Sequence, residues 1–173
     1  MALNHKTILN HSDFLEGAFL IRRLQPYSAN VKKRLVRTPR VFWRDSGLLH
    51  ALMGVGDLEQ LYRQPWLGQS WEGFVIEQTI ATLSALDKRV QPYYLRTSDG
   101  YELDLVLDWG TERWAVEIKL TSNPTSEMID RLNKTADMID ATRTVLVCRV
   151  ARKIETDRLL VAKLPVWLNA LDI

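Results

Sequence analysis

Residues 101–119, YELDLVLDWGTERWAVEIK, read as two apolar strands joined by a tight turn. They also carry Glu102, Asp104, Glu117 and Lys119, the residue types that a buried strand tolerates least. Side chains alternate along a strand, so Glu102 and Asp104 share one face, while Leu103, Leu105 and Leu107 take the other. On the next strand Glu117 and Lys119 share a face, opposite Val116, Ile118 and Leu120. Pairing through the turn at Trp109-Gly110-Thr111 brings Asp104 near Val116 and Glu117, to within a residue or two. Both carboxylates are then close enough to hold one ion.

The surrounding pattern builds a domain around this hairpin. SWEGFVIEQTIATLSALD, from Ser70, has the length and spacing of a helix of about four turns, with Ser70 as N-cap. VQPYYLRT is a strand, and Ser98-Asp99-Gly100 after it is a hairpin turn because Asp-Gly accepts positive φ. Asn123-Pro124 opens a helix with Ile129, Leu132, Ala136 and Ile139 on one stripe, and TRTVLVCRV follows as a buried strand. The tail RLLVAKLPVWLNALDI predicts a strand before Pro165 and a short helix after it. Residues 70–150 should therefore form a mixed sheet of about four strands with a helix on each face. Before them, Ser12-Asp13 are expected to cap a short helix over FLEGAFLIRRL. VFWRDSGLLHALMG should begin as strand and become helix.

The long helix adds a third acid. At 100° per residue, Glu72 falls with Ile76, Thr79, Leu83 and Leu86 in the arc facing the sheet, whereas Glu77 lies nearer the polar edge with Ser84. An acid on a packed face is costly unless it is paired, protonated or metal-bound. Alternatively, Glu72 simply favours the positive end of its helix.

Composition bounds the function. The chain has 173 residues, 46% hydrophobic and 25% charged, with a net charge of +2, as in an ordinary globular domain. No run approaches the roughly 18 apolar residues of a membrane span, and the N-terminus lacks an apolar signal core, so a cytoplasmic protein is expected. The single cysteine, Cys148, excludes an internal disulfide and reads as a small buried hydrophobe. His5, His11 and His50 lack partners at zinc spacing. Between Glu16 and Asp45 there is no acid, yet Arg22, Arg23, Lys32, Lys33, Arg34, Arg37, Arg40 and Arg44 all fall there. Such a block is an electrostatic footprint for phosphate or, equally, a solvated arm that docks on an acidic partner.

Helix Glu, strand Asp, then Glu-x-Lys on the next strand, followed by helix and strand, resembles the PD-(D/E)xK nuclease superfamily. That resemblance implies an α/β, mixed-sheet, restriction-endonuclease-like α-β-β-β-α-β core. In it Asp104 and Glu117 would hold Mg²⁺ (or Mn²⁺), Lys119 would orient water or offset phosphoryl charge, and Glu72 would support the metal. No proline precedes Asp104, a departure from the motif's name. RTPRVFWRDSGLLHALMG, LGQSWEGFVIEQ, YYLRTSDGYELDLVLD and AVEIK further resemble the uncharacterised domain at the C-terminal end of many prokaryotic AAA-type ATPases. By that likeness residues 1–65 are a partial winged-helix and basic linker region and residues 66–173 the nuclease-like domain. Arg22, Arg23, Lys32, Lys33, Arg34, Arg37 and Arg40 would contact nucleic acid, DNA in the first instance. No G-x-x-x-x-G-K-[ST] loop occurs, so the ATPase would be a partner outside this chain, which reads as a piece of a longer protein or a shortened gene. A second copy of the chain is a further partner left open. The competing class is a catalytically silent DNA-binding, protein-interaction or regulatory module on the same fold.

Overall fold

The computed structural model describes residues 4–28 and 35–172. Its elements are α1 (His5–Gly17), β1 (Ile21–Pro26), β2 (Arg40–Trp43), α2 (Ser46–Leu52), α3 (Leu58–Tyr62), α4 (Leu67–Ala85) and β3 (Gln91–Arg96). They continue as β4 (Glu102–Asp108), β5 (Arg113–Ile118), α5 (Ser126–Asp137), β6 (Arg143–Val147), β7 (Ile154–Glu155), β8 (Leu159–Ala162) and α6 (Leu164–Asn169). Among the described residues the strands form one mixed eight-stranded sheet in the order β2-β1-β3-β4-β5-β6-β8-β7. No described helix is long and apolar enough to cross a membrane.

The hairpins form where the turn chemistry demands them. Gly100 and Gly110 both take positive φ, 88° and 87°, at the two turns flanking β4. β3–β4 and β4–β5 are antiparallel, whereas β6 lies parallel to β5, which the intervening α5 makes possible by crossing over the sheet. Thr125 caps α5 by accepting the N–H of Met128. α5 buries Leu132 and Ala136 with Leu103, Val106, Ala115 and Leu146 on one face of the sheet. On the other face α4 and α6 supply Val75, Ile76, Leu83 and Trp167, packed with Leu105, Leu107, Val116 and Val145. Cys148 is buried in the α5-side core, where desolvation raises its thiol pKa, so it acts as a small hydrophobe.

Four local expectations change. α4 begins at Leu67 rather than Ser70, with Trp66 at its N-cap and no side-chain cap, because Ser70 instead bonds His50 Nε2 at 2.8 Å. Ser12 and Asp13 lie inside α1, whose cap is Asn4 accepting from Lys6 N. The chain after α1 is strand, and β1 pairs with β2 antiparallel and with β3 in parallel; residues 70–150 supply the four strands expected of them, β3 to β6, and β1, β2, β7 and β8 widen the sheet to eight. Finally, Leu103 does not share a face with Leu105 and Leu107. From Tyr93↔Val106 to Leu95↔Leu103, β3 advances two residues and β4 three, a bulge that turns Leu103 into the α5-side core.

Gly73 lets β2 approach α4. A Cβ there would lie 3.1 Å from Phe42 Cδ1 and 3.4 Å from its Cβ. Alanine in a helix interior ordinarily gains about 1 kcal/mol over glycine. Here the methyl must displace Phe42, so Gly73→Ala is expected to cost about 1 kcal/mol net by overpacking. Chemical denaturation measures it, and a more stable variant would show that the Phe42 contact is loose.

Candidate active site

The β4–β5 ladder runs from Asp108↔Arg113 to Leu105↔Val116 and stops there. Beyond it β5 leans on β6, with Glu117↔Leu146 and Ile118↔Val147 paired in parallel. The side chain of Asp104, next in line on β4, takes over the role of the missing strand: its Oδ2 accepts the Ile118 N–H at 2.9 Å. The bulge and the end of the ladder thus place Asp104, buried at 3% exposure, against the start of Glu117-Ile118-Lys119.

Five charged side chains meet at this opening in alternating sign. Lys119 Nζ is 2.5 Å from Glu117 Oε1 and 3.9 Å from Asp104 Oδ2. Asp104 Oδ1 lies 3.3 Å from Arg40 Nη1, and Arg40 Nη2 pairs with Glu72 Oε1. Glu72 comes from α4, Arg40 from β2, Asp104 from β4, Glu117 from the end of β5 and Lys119 from the position just after it. Glu72, Asp104, Glu117 and Lys119, expected together from sequence, are brought together. Arg40 was expected to face phosphate and instead joins this cluster. Its 64-residue separation from Asp104 leaves no local signal for that pairing.

Burial governs the electrostatics. Desolvation, then the neighbouring Asp104 charge, holds the Glu72 carboxyl up at about 8 despite Arg40. The same two causes, in the same order, push Glu117 to about 7. Burial pulls the Lys119 ammonium down, but Glu117 and Asp104 outweigh it, so its pKa is raised and it stays charged. Glu72 Oε1 has its ion pair with Arg40 but no aligned hydrogen bond, and Glu117 Oε2 is buried without a donor. Both are oxygens that a hard cation would satisfy. Among the described residues no group of three or more His, Cys, Asp or Glu is placed to hold a metal. A cation here would have to be held through one or two carboxylates with water, not by a cage of protein ligands. A cleft of about 540 Å³ opens beside the cluster, lined by Glu102, Glu117 and Lys119 on the strands and Thr125, Met128 and Arg131 around α5.

Among the described residues of the basic segment, Arg22, Arg23, Arg40 and Arg44 are paired within the molecule. Arg22 grips Glu77 through Nε and Nη2, at 2.6 and 3.1 Å, and Arg44 Nε adds a third bond at 2.7 Å. Glu77 is thus a buried anchor, not a polar-edge residue. Burial alone would raise its pKa, but the two arginines lower it. Arg23 pairs with Asp13 and Glu16 of α1. Of the residues expected to contact nucleic acid, Arg37 is exposed, and Lys32, Lys33 and Arg34 lie outside the described residues.

A mixed α/β domain with an acid–base cluster at the mouth of a strand pair is the class this architecture defines. Residues 67–167 match the profile of the domain of unknown function DUF4143, and the chain belongs to that family. Residues 1–59 match a second domain of unknown function, DUF8612. The chain is 43% identical over 118 residues to the uncharacterized protein Rv2008c of Mycobacterium tuberculosis and to the uncharacterized protein Mb2031c of Mycobacterium bovis. The match takes in 68% of this chain and spans about a quarter, 26%, of the length of each relative.

Proposed function

We propose that this chain is a Mg²⁺- or Mn²⁺-dependent, nuclease-like domain that processes DNA as part of a longer, ATPase-linked cytoplasmic protein. The observation that carries the reading is the convergence of Asp104, Glu117 and Lys119, with Glu72 from α4, at the open end of β4–β5. The order α4-β3-β4-β5-α5-β6 is also that of a restriction-endonuclease-like core, and α1 followed by the β1–β2 ribbon has the helix-then-wing order of a partial winged helix. The occurrence of DUF4143 in AAA-ATPase-associated proteins supports the ATPase link.

Asp104 and Glu117 would hold the cation, with Glu72 behind them. Bound there, it would supply an activated water and offset phosphoryl charge. Lys119, kept protonated by its acidic neighbours, serves as a fixed positive charge for a phosphate oxygen and not as a base. The Glu117 carboxyl, raised to about 7 by burial and by Asp104 without metal, must lose its proton to hold the cation. A catalytically silent module remains the second reading, favoured by one observation: Arg40 already pairs with Glu72 and Asp104 without any metal.

The test is a calorimetric titration of Mn²⁺ into wild type, Asp104→Asn and Lys119→Ala, beside a plasmid-nicking assay. The wild type should bind with millimolar to micromolar affinity and gain thermal stability with metal. Asp104→Asn should lose both binding and nicking. Lys119→Ala should keep or tighten metal binding while nicking falls about 100-fold, as for loss of one electrostatic stabiliser. Metal binding without nicking would favour the silent module. A wild type indifferent to metal would rule out metal-dependent cleavage by the native chain.

A further inference from the structure

Arg40 is held from two sides. It opens β2, an edge strand of the sheet, and its guanidinium lies 5.3 Å from the centre of the Phe42 ring and 5.7 Å from that of Tyr94. The Tyr94 hydroxyl in turn donates to the Thr38 carbonyl, tying down the chain just before β2. With aromatic rings on one side and the carboxylates of Glu72 and Asp104 on the other, the planar fork is fixed in a way that a flexible ammonium would not be. The cluster then counts three acids against two bases. Without Arg40 it would carry a formal charge of −2 when ionised, the complement of one divalent cation.

We propose that Arg40 is the resident counter-ion of this site, a positioning residue that keeps Glu72 and Asp104 together when no metal is bound and against which a divalent cation must compete. The inference rests on the metal-binding reading above. An arginine cannot give up its proton, so its charge is withdrawn only by movement of the side chain. Metal affinity in the intact protein is consequently set below what the carboxylates alone would provide. A cation that binds strongly must displace the fork from at least one acid.

The experiment titrates Mn²⁺ calorimetrically into the full chain and into Arg40→Gln and Arg40→Lys, with thermal melts in chelator and in Mn²⁺. Arg40→Gln should melt lower in chelator, bind Mn²⁺ at least about tenfold more tightly, and show a larger metal-induced rise than wild type, since one neighbouring charge shifts an ionic equilibrium by about that much. Arg40→Lys retains the charge but not the pinned fork and should fall between wild type and Arg40→Gln in affinity, whereas Lys and Gln variants of equal affinity would show that the charge at this position does not compete with the cation. If Arg40→Gln folds only with Mn²⁺, the inference is upheld. If it folds in neither condition, Phe42→Leu, which removes one ring beside the fork, should still tighten Mn²⁺ binding, and unchanged affinity would overturn the idea. Equal affinity in wild type and Arg40→Gln sinks this inference alone. Metal binding in Arg40→Gln but not in wild type upholds it and shows the native site held silent by its arginine. Binding in neither overturns the metal reading and this inference together.

Discussion

Glu77→Ala is expected to cost about 3 kcal/mol, because it leaves two part-buried arginines without their shared anion. Glu77 is only 9% exposed at its side chain, and Arg22 and Arg44 only 23% and 31%. The three bonds tie β1 and the turn after β2 to α4, so the loss should loosen the attachment of the N-terminal strands to the rest of the sheet. For a chain of this size 3 kcal/mol corresponds to a fall of roughly 6–12 °C in Tm. A double-mutant cycle with Arg22→Ala isolates the pair, which should couple by more than about 1 kcal/mol. A loss under about 0.5 kcal/mol would place the pair among exposed ion pairs of little consequence.

Stability should also fall as the pH rises from 4.5 toward 8 in the absence of divalent metal. Glu72 and Glu117 ionise at about 8 and about 7 in the folded chain, against an ordinary 4.5. A raised acid contributes its full stability below the unfolded value and loses it as pH climbs through the folded one. The slope approaches about 1.4 kcal/mol per pH unit for each acid. Glu77, with its pKa lowered, acts in the opposite sense: its contribution is present above the unfolded value and lost at lower pH. The two effects place the stability maximum in weakly acid solution. Mn²⁺ favours the ionised carboxylates and should flatten the alkaline limb. Asp104→Asn removes the second cause of both upward shifts and should move that limb to lower pH once both forms are compared in chelator. Denaturation curves across this range decide it, and a stability that rises toward pH 8 without metal would contradict the burial of the two acids.

The α4-to-β6 succession was legible because each element carries its own local signal. Alternation marked β4 and β5, Asp99-Gly100 and Trp109-Gly110 marked their turns, and the Leu132–Ala136–Ile139 stripe marked the inner side of α5. Registers followed from turn length, which is why Leu105↔Val116 fell within a residue of expectation. The bulge in β4 was not legible, since one extra residue alters no periodicity that a seven-residue strand can display.

What the amino-acid sequence determined alone is thus the order of elements in the main domain and four members of the charged cluster, Glu72, Asp104, Glu117 and Lys119. Only the tertiary structure decided the fate of the basic segment. A run of arginines without local acids looks like a phosphate surface, because its partners lie on elements up to 64 residues away. Folding brings Glu77 to Arg22 and Arg44, and Glu72 and Asp104 to Arg40, and gives those three arginines acidic partners that the bare sequence does not display. Charge pattern along a chain reports composition; Coulomb energy depends on distance in space, which the packing of β2 against α4 sets.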